Sequence, residues 1–376
     1  MTSILPPATI GILGGGQLGR MTALAARAMG YRIHILDPGE NCAAAPVADH
    51  VTISSFDDVI AAERFARSCD VVTLEIEHIA PAVLGAVAEI CPLRPGAAIV
   101  TMVQDRELQK TWLAKHDIPV GEFAIVSSAA ETASTLDSLG GDVFLKSSRG
   151  GFDGRGQVRL RAPDASQRAF ADVGGKRAVA ERALSLDLEL SVLVARRPSG
   201  DIVVYPPARN HHENQILAWS TIPADLEPAV ASEARDIAHR IAELAELQGI
   251  LAVEMFLVKG GRLLVNELAP RPHNSYHASE LACPTSQFEQ IVRAVCDLPL
   301  GVVEPLRPSA IVNIFGDSWL GGQPPRFDEA LKIDGARLFL YGKEGARPAR
   351  KMGHIGASGH DAASALAAAK QAFARL

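Results

Sequence analysis

Over about the first 100 residues, short apolar runs alternate with amphipathic stretches. The runs "TIGILG", "YRIHILD", "HVTI" and "DVVTLE" have the length and composition of strands. Between them, apolar positions recur at helical spacing over 17–29, 57–68 and 81–89. Such alternation predicts a parallel sheet with helices on both faces, closed by "CPLRPG". A further helix is expected over 105–116. The pattern then changes to hairpins. "LELSVLVARRPSGDIVVYP" turns at Pro198–Asp201, and "ILAVEMFLVKGGRLLVNELAP" turns at Gly260-Gly261. A long amphipathic helix fits 227–247. From about Glu304 a smaller unit begins, with strands near "AIVNIF", "RLFLY" and "KMGHI" and an Ala-rich helix from Asp361. The expected units are therefore 1–100, parallel α/β; 101–303, α+β, with a lid over 118–184; and 304–376.

Two glycine-rich stretches carry candidate chemistry. In "IGILGGGQLGR", Gly14, Gly16 and Gly19 fit G-x-G-x-x-G, and Asp37 ends the next strand. That is the dinucleotide fingerprint, so a nicotinamide-dependent oxidoreductase is one reading. The stretch "FLKSSRGGFDGRGQVRL" places Lys146 at a strand end before Gly150, Gly151, Gly154 and Gly156. Glycines let backbone N–H groups approach phosphate oxygens, and a lysine adds a point charge. A flexible hairpin tip is the alternative.

The second hairpin brings two carboxylates together. With a two-residue turn at Gly260-Gly261, Lys259 pairs with Arg262 and Glu254 falls directly opposite Glu267. Their Cβ atoms would then lie about 4.5–5.5 Å apart on one face. Opposed like charges within apolar strands call for neutralisation, and Mg²⁺ held with nucleotide phosphates supplies it. Asn266 adds a neutral oxygen. The alternatives are a solvated strand face or a Glu–Lys pair.

Composition narrows the classes. The chain has 376 residues, room for two or three domains. Its formal charge is 37 − 43 = −6, and no basic run with interleaved aromatics appears, so nucleic acid is not an expected partner. The five cysteines form no C-x-x-C, which points to a reducing cytoplasm rather than a disulfide or zinc framework. No secretory leader or membrane-length apolar window is seen.

Read together, the lysine strand, the glycine loop, "VAERALSLDLELS" and the late glutamate pair resemble the ATP-grasp fold. Within it, "GGFDGRGQ", "NELAPRPHNS", "SQFEQIVRAVCDLPLG", "RPARKMGH", "GILGGGQLGRM" and "DVVTLEIEHI" resemble the N5-carboxyaminoimidazole ribonucleotide synthetases. The resemblance runs in order from Gly11 to His354. It implies ATP-dependent carboxylation of aminoimidazole ribonucleotide with bicarbonate, with ATP and Mg²⁺ as cofactors. It also implies a homodimer coupled to the mutase that consumes the product.

The resemblance further implies residue roles. Arg106, Lys146 and His212 would lie near the ATP phosphates, under a lid of Gly151, Phe152, Asp153, Gly154, Arg155, Gly156 and Gln157. Glu181, Arg182, Ala183 and Leu184 would meet adenine, and Glu189 the ribose. Asn266 and Glu267 would complete the ATP site, and Glu254 and Glu267 would hold the metal. Arg271, His273 and Asn274 would position bicarbonate or carboxyphosphate, and Asp153 is a candidate base. Gln17, Leu18, Glu75, Arg155, Lys343 and Arg350 would bind the substrate.

Tyr276 and Ala349 depart from the glycines usual in the family, which leaves local geometry open. A formate-using transformylase of the same fold and a non-catalytic binding protein are the remaining alternatives. His211 is expected at the surface, Trp112 and Trp219 in core or rim, and Cys283 and Cys296 in packing roles. Asp37 is expected as a turn residue.

Overall fold

The structure, a computed structural model, describes residues 2–150 and 156–376. The first unit is built from β1 (Thr9–Leu13), α1 (Gln17–Ala28), β2 (Arg32–Asp37), β3 (His50–Ile53), α2 (Val59–Ala66), β4 (Val71–Leu74) and α3 (Pro81–Ile90). Its strands pair in parallel in the order β3-β2-β1-β4. Continuous apolar runs suit a sheet covered on both faces, and every residue of β4 is buried. Two short helices, α4 (Ala97–Val103) and α5 (Arg106–Lys115), lead onward. The Asp105 side chain starts α5 by accepting hydrogen bonds from the Glu107 and Leu108 N–H groups.

The lid follows: β5 (Phe123–Val126), α6 (Ala129–Ser138), β6 (Val143–Ser147), β7 (Gln157–Leu160), α7 (Ser166–Asp172) and β8 (Ala178–Arg182). Its antiparallel sheet runs β5-β8-β6-β7, and Leu136, Leu139 and Phe170 of the helical layer join Val143, Leu145 and Ala180 in one core.

The rest of the chain forms β9 (Leu186–Arg196), β10 (Ile202–Val204), β11 (Ala208–Glu213), β12 (Ile216–Ile222), α8 (Pro228–Leu244), β13 (Gly249–Val258) and β14 (Arg262–Ala269). After these come α9 (Ser279–Ala282), α10 (Gln287–Val295), β15 (Ser309–Phe315), α11 (Phe327–Ala330), β16 (Arg337–Leu340), β17 (Lys351–Ser358) and α12 (Ala362–Phe373). One sheet runs β14-β13-β9-β11-β12-β15-β17-β16, with β10 paired to β9. The strands of the third segment thus make no sheet of their own. β15 pairs with β12 and extends the central sheet, while Ala365, Ala369 and Ala372 of α12 pack beneath it. Among the described residues, no helix is long and apolar enough to cross a membrane.

The β13–β14 hairpin corrects the expected turn. Val258, not Lys259, pairs with Arg262, so Lys259, Gly260 and Gly261 form a three-residue loop. Both glycines have positive φ, at 97° and 81°, a region closed to most side chains. The register then shifts between Glu254 and Met255, where Asn266 is an extra residue on β14. That bulge restores the opposition of Glu254 and Glu267.

Candidate active site

α5 buries Gln109, Lys110 and Leu113: Gln109 accepts from the Leu268 N–H of β14, Leu113 packs in the central core, and Lys110 reaches the lid. The Lys110 ammonium lies 3.2 Å from Glu181 Oε2, and Lys146, at the end of β6, lies 3.1 Å from the same oxygen. Lys146 therefore has its buried anion within the protein. Glu181 sits at the β8 end, between the two lysines. Burial pushes its carboxyl up, but Lys146 and Lys110 outweigh that and hold it at about 2. The sequence reading missed Lys110. Its signal was the i, i+4 spacing from Arg106 on one helix face.

Arg106 connects this cluster to the glutamate pair, with Nη1 3.3 Å from Glu267 Oε2. The opposite Glu254 carries His273 Nε2 at 3.0 Å. Burial raises the Glu254 carboxyl, yet the His273 contact and the charges of His212 and Arg271 hold it at about 2. His212 Nδ1 sits 2.6 Å from Glu189 Oε2, a close ionic contact without hydrogen-bond alignment. Burial disfavours the His212 cation, but Glu189 prevails and raises its pKa.

Among the described residues, four buried polar atoms in this region have no hydrogen-bond partner: Glu181 Oε1, Arg106 Nε, His212 Nδ1 and Asn266 Oδ1. The unpartnered Asn266 oxygen beside two opposed carboxylates fits a hard cation with an all-oxygen donor set. Among the described residues no group of three or more His, Cys, Asp or Glu is arranged for a metal. The remaining positions would fall to phosphate oxygens and water.

The first glycine loop holds anions of its own. Gly16, Leu18 and Gly19 N–H donate to the Glu75 carboxylate at 2.7, 3.1 and 3.0 Å. Gly15 N–H donates to Asp37 Oδ2 at 2.7 Å, and Gly39 N–H to Oδ1 at 2.8 Å. Asp37 is the expected turn residue, and a carboxylate occupies the helix N-terminus where a dinucleotide pyrophosphate would sit. A Cβ at Gly16 would approach Glu75 Oε1 to 2.4 Å, so only glycine allows this cap. Burial raises the Glu75 carboxyl against these backbone bonds.

Beside the loop lies a cavity of about 350 Å³ lined by Asp37, Asn41, Cys42, Lys343, Glu344 and Arg350 among others. Lys343 Nζ donates to Gln17 Oε1 at 2.6 Å, and Gln17 Nε2 donates to Asn274 Oδ1. Arg350 is turned to its own loop and donates to the Glu344 and Gly345 carbonyls. Arg271 Nε lies 2.8 Å from Glu77 Oε1, and the charges of Glu75 and Glu267 also act on it. It joins the glycine-loop pocket to the glutamate pair. Glu77 carries no motif signal beyond its place two residues after Glu75.

Other expected residues fall differently. Leu18 offers the pocket no side chain, because it packs with Met21, Phe288 and Tyr341. The Ala183 N–H is taken by the Asp142 carbonyl, and the Arg182 guanidinium by Glu122. Leu184 is half-buried on the connection between β8 and β9. Gln157 donates from β7 to Gln215 Oε1 at 2.6 Å, while Gly156 turns the chain at φ 70°. Gly151, Phe152, Asp153, Gly154 and Arg155 lie outside the described residues. His211 is half-exposed and stacks on Trp219. Burial pushes the Cys283 and Cys296 thiols up to about 12, consistent with packing roles.

The two departures from the usual glycines are of different kinds. Tyr276 is fully buried against Tyr205, and its hydroxyl donates toward the Ser191 and Pro206 carbonyls, so its side chain fills core. Ala349 sits at φ 61°, where a Cβ is strained. Ala349→Gly is expected to raise stability by about 1 kcal/mol, relief of strain outweighing the added freedom of the unfolded chain. A thermal melt in which the variant is less stable than the parent would contradict this.

A lid sheet and a central sheet that hold buried lysines and opposed glutamates between them define an ATP-grasp enzyme. Family models match in order: a ribonucleotide synthetase preATP-grasp domain over 7–104, an ATP-grasp domain over 111–288, and a phosphoribosylaminoimidazole carboxylase C-terminal domain over 309–368. The N5-carboxyaminoimidazole ribonucleotide synthase of Bacillus subtilis is 40% identical, covering 94% of this chain and 92% of the relative. That of Brucella melitensis is 39% identical, covering 94% and 97%.

Solved structures agree. An N5-carboxyaminoimidazole ribonucleotide synthetase in complex with ADP superposes with TM-score 0.93 at 40% identity, covering 99% and 98% of the two chains. The Aspergillus clavatus N5-carboxyaminoimidazole synthase in complex with ADP and aminoimidazole ribonucleotide gives 0.89 at 31%, covering 98% of each. The chain belongs to the N5-carboxyaminoimidazole ribonucleotide synthase family, and it is an ATP-dependent ligase of the ATP-grasp class.

Proposed function

We propose that this enzyme carboxylates 5-aminoimidazole ribonucleotide with bicarbonate and ATP, giving N5-carboxyaminoimidazole ribonucleotide, ADP and phosphate in purine biosynthesis. The observation that carries the reading is a series of polar groups joined by ion pairs and hydrogen bonds and, from Glu181 to Arg106 and from Glu267 to Arg271, by charge interaction alone. It runs from Lys110, Lys146 and Glu181 through Arg106 and Glu267 to Arg271, and on to the pocket of Glu75, Gln17, Asn274 and Lys343. ATP phosphates and a phosphorylated amine substrate can thus meet at Arg271.

Bicarbonate is a poor electrophile. Its oxygen attacks the γ-phosphorus, ADP leaves, and the resulting carboxyphosphate releases phosphate and CO₂ beside the substrate amine. The amine attacks that carbon and loses a proton. Lys110, Lys146 and Arg106 bind and orient phosphate oxygens as charge moves onto them. Arg271, His273 and Asn274 hold the bicarbonate-derived anion, and Lys343 and Arg350 hold the ribonucleotide phosphate. Glu254, Glu267 and Asn266 would hold Mg²⁺, which supplies charge neutralisation on the transferring phosphoryl group.

The same reading has Glu189 and His212 beside ribose and phosphates, units bounded near 100 and 303, and Asp153 as the base. It further has a cytoplasmic homodimer whose product is consumed by a mutase. Under steady state, phosphate release should require ATP, bicarbonate and aminoimidazole ribonucleotide together. Turnover with formate in place of bicarbonate would assign the chain instead to the transformylase branch of the fold.

A further inference from the structure

Around Asn274 lies a set of polar groups, two of which, His277 and Gln287, the proposed chemistry does not use. Its bond directions follow from both ends. An ammonium has donors only, so the Gln17 atom facing Lys343 Nζ is the carbonyl oxygen. The Gln17 amide nitrogen therefore faces Asn274, and the Asn274 atom that meets it is Oδ1. The same Oδ1 lies 3.1 Å from His277 Nε2. An acceptor facing a ring nitrogen requires that nitrogen to carry the proton.

The other end begins at backbone groups, which leave no choice. His273 N–H donates to Gln287 Oε1 at 2.8 Å, and Gln287 Nε2 donates to the His273 carbonyl at 3.0 Å. The second amide hydrogen of Gln287 is directed at His277 Nδ1, 3.5 Å away. Nδ1 is therefore bare and Nε2 protonated, the state reached from the Lys343 end.

His277 and Gln287 are both fully buried. His277 stacks on His354 at 4.5 Å and 7°. Burial, with His354 next, holds the His277 pKa well below the ordinary value, so the ring is neutral and its tautomer matters. Two donors converge on Asn274 Oδ1, and turning the amide over would set donor against donor. Among the described residues no acceptor takes Asn274 Nδ2.

We propose that His277, its tautomer set by Gln287, is a positioning residue that holds the Asn274 amide as a hydrogen-bond donor toward the bicarbonate-derived anion. This rests on the role given to Asn274 above. His277 touches no reacting atom; it acts by keeping Nδ2 turned to the ligand.

The test is a double-mutant cycle on the full-length enzyme, reading KM for bicarbonate, KM for ATP and kcat. His277→Phe keeps a flat ring in the stack and removes the donor. It is expected to raise the bicarbonate KM about tenfold, the scale of one lost buried hydrogen bond, with the ATP KM unchanged. In the Asn274→Ala background the same substitution should add nothing. An equal loss in that background, or a parallel rise in the ATP KM, overturns the proposal. If His277→Phe shows no cooperative melt, His277→Leu, which also removes the ring donor, carries the same cycle with the same expectations. A wild-type enzyme whose ATP turnover ignores bicarbonate overturns the functional reading as well. A bicarbonate-dependent wild type with an additive cycle overturns the role of His277 alone.

Discussion

Glu181→Gln is expected to cost about 3 kcal/mol of folding stability, the scale for removing one partner of a buried ion pair. Two ammonium groups converge on this carboxylate, with side chains only 2% and 11% exposed. A neutral amide leaves both desolvated with no counter-charge. The effect has a pH signature. The Glu181 carboxyl is lowered from 4.5 to about 2, so its contribution is fully present above pH 4.5 and is lost as pH falls toward 2. Denaturant midpoints of the parent should fall steeply across that window, and those of the variant less so. Adding Lys110→Met to Glu181→Gln should recover part of the loss by removing one stranded cation. A variant with the parent's acid limb and an unchanged midpoint would mean that water, not Glu181, compensates the lysines.

Much of this frame is legible in the chain. The apolar runs from Thr9 to Leu74 mark four parallel strands: β1, β2 and β4 are largely buried, the edge strand β3 is partly exposed, and the helical spacing between them survives intact. The pairing of β12 with β15 is not legible. It joins segments about 90 residues apart, and neither strand's composition names its neighbour.

The glutamate pair is instructive in another way. Opposition of Glu254 and Glu267 follows from a two-residue turn, but the turn has three residues and a bulge at Asn266 compensates. Two local departures cancel, and no alternation in "RLLVNELA" reveals either. The first glycine loop shows a different limit. Its sequence announces backbone donors at a helix N-terminus, but donors do not say who fills them. Here Glu75 and Asp37, remote in sequence, occupy the seat. Lys110, Glu77, His277 and Gln287 escaped notice because each reads as an ordinary polar residue. Only the fold gives Lys110 and Glu77 their buried partners and sets Gln287 against the His273 backbone.

Glu254→Gln and Glu267→Gln should each raise the Mg²⁺ concentration for half-maximal turnover by about 100-fold, since even outer-shell partners of a bound metal are worth 10–100-fold. The KM for aminoimidazole ribonucleotide should stay near that of the parent, because the glycine-loop pocket is built from other side chains. The two variants separate metal binding from the neighbouring ion pairs. Glu254→Gln strands His273, a proposed bicarbonate ligand, whereas Glu267→Gln strands Arg106, a proposed phosphate ligand. If the carboxylates served only as partners to those cations, Glu254→Gln would act through bicarbonate and Glu267→Gln through ATP, and neither would shift the Mg²⁺ dependence. A shared shift in the Mg²⁺ requirement, with the unpartnered oxygen of the bulge residue Asn266 next to Glu267 in the strand, is the outcome that a common hard cation demands.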